Sequence, residues 1–273
     1  MTLLHAASRE ALASAELKLL DLAESGATLD TVGDELFGVV GLLTREAGLR
    51  RPLADSSAEP ERRADLVRRL LSGKLSDDTV GLLVSVVSAR WSNPRELVDG
   101  VESLGRTALL VAAERAGTLD TVEDELFRLG RIVAADGELE RLLSDSAAPA
   151  EAKLSLLRSL TAAKVDPTTE KLAEALVSYP RGRRAVEGLE ELADLAAKRR
   201  ERSVAHVTSV VALSEQQQDR LAATLTRIYA RPIALHIEVD PDLLGGMVIK
   251  VGDEIIDGSA AGRLDAIRRR LAG

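Results

Sequence analysis

Three histidines, His5, His206 and His236, are the residues of this 273-residue chain best suited to acid-base or metal chemistry. Their surroundings do not support it. No two stand at His-x-x-x-His spacing, and no Gly-x-Ser-x-Gly elbow accompanies them, so neither a zinc site nor a hydrolase triad is expected. Asp240, Asp242, Asp253, Glu254 and Asp257 crowd the C-terminal region. They lack the ligand set and the bidentate Glu of a calcium loop, and turn chemistry accounts for them. Gly245-Gly246 would suit a phosphate cradle only if a helix followed, and a strand pattern follows instead. The pair is expected to turn the chain sharply into Met247 to Val251. With no cysteine, thiolate chemistry and disulfides are excluded. No catalytic residue, cofactor or metal is expected.

Composition narrows the partners. Lys and Arg number 36 against 44 Asp and Glu, a net charge of -8, so no nucleic acid is expected to bind. One Trp, two Tyr and two Phe leave almost no material for stacking bases or sugars. The opening residues lack the basic and apolar runs of a secretory leader. The longest apolar stretches fall short of the ~20 residues a membrane span needs, so no direct membrane insertion is expected.

An internal repeat organises the first two thirds of the chain. Thr28 to Phe37 recurs as Thr118 to Phe127 with a single change, Gly33 to Glu123. Carried gaplessly from 28–90 onto 118–180, the offset of 90 gives 24 identities in 63 positions. A unit of this size is a duplicated domain rather than a solenoid repeat. Apolar residues recur at helical spacing, as in Leu172, Leu176 and Val177. Asn93-Pro94 and Asp166-Pro167 place a capping side chain before a proline at the first helical position, and Ser76 with Asp77 and Asp78 forms a third start. Gly26, Gly73 and Gly117 suit helix C-termini that need positive φ. The reading is two tandem bundles of five to six helices, residues 1–104 and 105–202, joined where no proline or turn cluster interrupts 94–116.

Residues 203–273 differ in kind. Ser203 to Val211 and the alternating run Ile233 to Val239 predict strands around a helix over Ser214 to Ala230. Gly252-Asp253 predicts a hairpin turn, and a last helix is expected from Ser259, with Leu264, Ile267 and Leu271 on its stripe. The fold class is mainly α with a C-terminal α+β domain of order β-α-β-β-β-α. Lys198 to Arg202 form a basic cluster that suits acidic lipid or an acidic partner, and that at a helix C-terminus complements the dipole in any case, which is the favoured reading.

Ala108 to Ala113 is apolar at six successive positions, more than one buried stripe requires. The surplus fits a second face covered by the neighbouring copy or by a partner helix, or a central helix buried all round.

Ile233, Leu235, Val239-Asp240, Leu243, Gly245-Gly246-Met247, Ile249-Lys250, Gly252, Asp257-Gly258-Ser259 and Gly262-Arg263-Leu264 resemble the signature of the F-type ATP synthase delta subunit family, which includes the mitochondrial oligomycin-sensitivity-conferring protein. Ala205 to Val210 and Leu119-Asp120-x-Val122-x-x-Glu125-Leu126 are similar to earlier segments of that family. Residues 105–273 correspond to one complete member, and the extra copy resembles actinobacterial members. The resemblance implies a non-catalytic stator subunit, one component of a hetero-oligomeric complex, peripheral on the cytoplasmic face of the plasma membrane. Its implied partners are the N-terminal helix of an alpha subunit and the b-subunit stalk. On this chain the expected helix-binding residues are Leu104, Ala108, Val111, Ala112, Leu172, Leu176 and Arg183. The expected structural signature is Gly245, Gly246, Lys250, Gly252, Asp257, Gly258, Gly262 and Arg263. An adaptor that binds amphipathic helices in some other complex is the alternative, and an enzyme using His206 or His236 a more distant one.

Overall fold

The structure, a computed structural model, describes residues 4–162, 164–202, 204–229, 233–241, 243, 245–252 and 254–258. The expected last helix and two signature residues, Gly262 and Arg263, lie outside the described residues. The chain divides into two compact units, Met1–Asp194 and Leu195–Gly273.

Copy one begins with α1 (Ala6–Glu24), α2 (Leu29–Arg45), α3 (Ala47–Ala54), α4 (Pro60–Leu71) and α5 (Asp77–Ser88). The spine α6 (Pro94–Ala116) follows, then α7 (Leu119–Ala135), α8 (Gly137–Ser144), α9 (Ala150–Thr161), α10 (Pro167–Ser178) and α11 (Ala185–Arg202). Helix starts fall where capping chemistry puts them. Asn93 accepts hydrogen bonds from the backbone N–H groups of Arg95 and Glu96, Ser76 from Thr79, and Asp166 from Thr168. Gly26, Gly73 and Gly117 take φ of +94°, +75° and +74° at helix ends.

The 90-residue offset extends to hydrogen bonds. Glu35 on α2 accepts from the Ser76 backbone N–H at 2.8 Å, and Glu125 on α7 accepts from the Asp166 N–H at 2.8 Å. Asp55 holds the Ser57 N–H at 2.9 Å, and Asp145 the Ala147 N–H at 2.8 Å. Matching side chains at matching positions brace matching helix ends, so the two stretches share one fold.

The boundary between copies is not a break. α6 runs unbroken for 23 residues, ~35 Å at 1.5 Å per residue, closing copy one with its first half and opening copy two with its second. Around it Leu19, Leu36, Leu82, Trp91, Leu97 and Leu104 form a core in which each is at most 2% exposed. Burial of such side chains at ~1.5–3 kcal/mol each is the main stabilising term.

In the second unit β1 (Val204–Ser209), α12 (Glu215–Tyr229), β2 (Ala234–Val239), β3 (Met247–Val251) and β4 (Glu254–Asp257) form a four-stranded sheet of order β2-β1-β3-β4 with one helix. β1 pairs in parallel with β2 and antiparallel with β3, which pairs antiparallel with β4. Ala205, Val207, Ile249 and Val251 turn one sheet face into a core shared with Leu225 and Ile233.

Candidate partner-binding site

The surplus apolar face of α6 is covered inside the chain. Leu104 and Ala108 are fully buried and Val111 is 3% exposed, all three in the core built by copy one. Leu172 and Leu176 on α10 are equally enclosed. These five expected helix-binding residues are therefore packed inside the chain in this structure. Of the remaining two, Ala112 is half-buried against the copy-one core, and Arg183 is engaged in an ion cluster.

What covers α6 is the outer face of α2, and glycines make the fit. A methyl group on Gly33 would lie 2.6 Å from Leu109 Cδ2, and one on Gly41 would lie 2.5 Å from the Tyr179 hydroxyl. Conversely, a methyl on Gly105 would come within 3.3 Å of the Phe37 ring. Only residues without a side chain let the helices approach this closely. Beside these contacts the Lys171 ammonium stands 3.3 Å from Asp30 and 2.8 Å from Asp34. Burial works to lower the Lys171 pKa, but the two carboxylates outweigh it and hold it above its ordinary value.

Halfway along α6 a second polar feature joins the copies. Glu102 meets Arg106 at 2.6 Å, Arg181 at 3.2 Å and Arg183, while Arg181 reaches Asp99 at 2.5 Å. Glu191 faces both Arg106 and Arg183 at 3.7 Å. Three guanidinium groups thus confront three carboxylates with little solvent. Burial pushes the Asp99 carboxyl up against the pull of Arg181, and it lowers the Arg106 pKa. The loop that presents these arginines needs left-handed backbone at Arg181, φ +49°, and Gly182, φ +86°. Arg183 was singled out through the resemblance alone. The signal for Glu102 and Arg106 was present, an opposite-charge pair at i,i+4 within an apolar helix.

On the sheet, Gly245 and Gly246 take φ of +71° and +81° and Gly252 takes +58°, as their turn roles require. The Gly258 N–H donates to the Met247 carbonyl at 2.9 Å, and a methyl there would come within 3.1 Å of that oxygen. Lys250 is exposed on β3, paired opposite His206, and Asp257 ends β4. Sequence spacing hid one juxtaposition. His206 and His236 are partners across β1 and β2, with ring centroids 5.4 Å apart. No cluster of three or more metal-ligating side chains occurs among the described residues, and no helix there is long and apolar enough to cross a membrane.

Large apolar side chains do reach the surface elsewhere. Phe127 is 59% exposed on α7, Ile132 54% and Leu17 66%; in the second unit Val211, Ile228 and Ile255 are also exposed. Such groups are material for protein contacts rather than for small-molecule chemistry.

Comparison with known proteins agrees with that character. A family model for the ATP synthase delta (OSCP) subunit matches residues 106–271. The protein named ATP synthase subunit delta from Streptomyces griseus is 48% identical over 272 residues, covering 99% of this chain and all of the relative. That of Nocardia farcinica is 47% identical over 98% of this chain and all of its own length, and that of Streptomyces coelicolor 47% identical over the whole of both.

Proposed function

The chain belongs to the ATP synthase delta (OSCP) subunit family, and from that premise we propose that it is a non-catalytic stator subunit that ties the catalytic head to the peripheral stalk. Residues 105–202 grip the head through the N-terminal helix of an alpha subunit. Residues 203–273 hold the b-subunit stalk. Residues 1–104 brace the grip from the side through α6. The assembly lies on the cytoplasmic face of the plasma membrane, to which the chain attaches only through its partners.

The observation that carries this reading is the full-length match, both copies and sheet domain included, to relatives named as this subunit. The architecture supports it: a helix shared by two bundles resists bending at their junction, as a part that bears torque must. The test is affinity capture of the full chain from its own cell lysate, with mass spectrometry. Alpha and b subunits in the eluate are expected, and capture that brings no ATP synthase subunit would overturn the reading.

A further inference from the structure

The two copies carry the same ten-residue stretch with one change, and the structure treats its phenylalanine in opposite ways. Phe37 on α2 is 7% exposed because α6 lies across it with Gly105 under the ring. Phe127, at the matching position of α7, is 59% exposed. A single apolar residue on a surface is ordinary. Phe127 stands out because its twin anchors a helix-on-helix interface within this molecule. We propose that the α7 face centred on Phe127 docks a basic amphipathic helix of another polypeptide, with a small residue seated over the ring. The proposal rests on the reading above that the chain works within the ATP synthase.

The occupant's chemistry follows from what the copies share and where they differ. Asp30 and Asp34, which hold Lys171, recur as Asp120 and Asp124. Glu123 adds a third acid where copy one has Gly33. Asp124 also holds Arg128 at 2.8 Å, an exposed pair of the kind that contributes little and yields to a better partner. In copy one the small residue, Gly105, is on α6 and the cation, Lys171, on α10. On α7, Asp120 and Asp124 lie one to two turns before Phe127, so a single docking helix along α7 needs a Lys or Arg at that distance from the small residue that faces Phe127. Arg131 replaces Gly41 and offers a complement to an acid on the same helix. A second copy of this chain is excluded as the occupant in the arrangement α6 makes with α2. Leu109 needs the space that Gly33 leaves, and α7 carries a glutamate, Glu123, in place of that glycine.

The chain has no cysteine, so Phe127→Cys and Arg131→Cys each place a unique thiol on this exposed face. Each full-length variant is reacted with a maleimide, free and assembled in purified ATP synthase, and then with a benzophenone maleimide for photo-crosslinking. Labelling in the complex is expected to be slower than in the free chain by about tenfold or more. Crosslinks should fall on a Lys- or Arg-bearing helix of another subunit. Arg131→Cys keeps the phenyl ring, so it covers the case in which losing the ring itself weakens docking. Equal labelling rates in the free and assembled states overturn the proposal, as do crosslinks confined to this chain or to a second copy. If the unaltered chain does not enter the ATP synthase at all, the functional reading fails and this proposal with it.

Discussion

A carboxylate held among guanidinium groups in a dry junction is costly to create and costlier to break. Glu102 answers Arg106, Arg181 and Arg183 at once, so truncating it leaves three cations facing only Asp99 and Glu191. Glu102→Ala is therefore expected to lower unfolding free energy by about 3–5 kcal/mol, the usual effect of orphaning a buried ion pair. Urea titration followed by circular dichroism measures it, and a loss under about 1 kcal/mol would show that solvent already screens the cluster. Backbone demands are as local. At φ +81°, Gly246 occupies a region that a β-branched side chain enters only with strain of about 1–3 kcal/mol, so Gly246→Val should destabilise the sheet domain by that order. An unchanged melting profile would mean the turn relaxes to negative φ. Gly246 was legible in the sequence because a glycine pair before a strand has few other uses. The Glu102 cluster was not, since its arginines at 181 and 183 meet it only through tertiary packing.

At the level of helices, the repeated carboxylate brace decides where α5 and α10 begin. Burial works to raise the Glu35 pKa, but hydrogen bonds from Ser76 and Thr79 outweigh it and leave the carboxyl below its ordinary value. Glu96 behaves alike, with burial opposed by Ser8, His5 and Asn93. A carboxyl with a depressed folded pKa contributes stability above its unfolded pKa. That contribution disappears as pH falls through the folded value. Acid should therefore weaken the helical unit as pH drops below the ordinary glutamate range of roughly 4 to 5. Glu35→Gln should flatten that part of the stability-pH curve while leaving the slope above pH 6 alone. Denaturant midpoints from pH 7 down to 3 check this, and an unaltered acid slope in the variant would remove Glu35 from the account. The caps at Ser76, Asn93 and Asp166 were readable because their chemistry lies within four residues. The brace from Glu35 reaches 41 residues along the chain and showed only as a repeated glutamate, Glu35 and Glu125.

Over the whole of Met1–Asp194, the sequence revealed that a domain is duplicated but not how the copies meet. Two helical stretches of equal length and like composition were legible from identities at one offset. Which face of each was buried was not. α2 and α7 share a motif, yet only α2 has glycines at both flanking positions, and those glycines admit Leu109 and Tyr179. The surplus apolar residues of α6 leave the neighbouring copy, a partner helix and burial all round as alternatives, because periodicity counts faces without saying what covers them. With α6 common to both cores, the copies should unfold as one cooperative unit. Trp91, the chain's one tryptophan and 2% exposed in copy one, reports that event by fluorescence. Leu172 lies in copy two, 1% exposed, and Leu172→Ala should cost about 2–5 kcal/mol through the cavity it leaves. For a unit of this size that lowers the melting temperature by on the order of 10 °C. The expected outcome is that the Trp91 transition falls by the full amount and stays coincident with helix loss at 222 nm, although the substitution is in the other copy. A Trp91 midpoint that stays in place while half of the helical signal melts earlier would show that α6 uncouples at its middle and that the two copies are separate folding units.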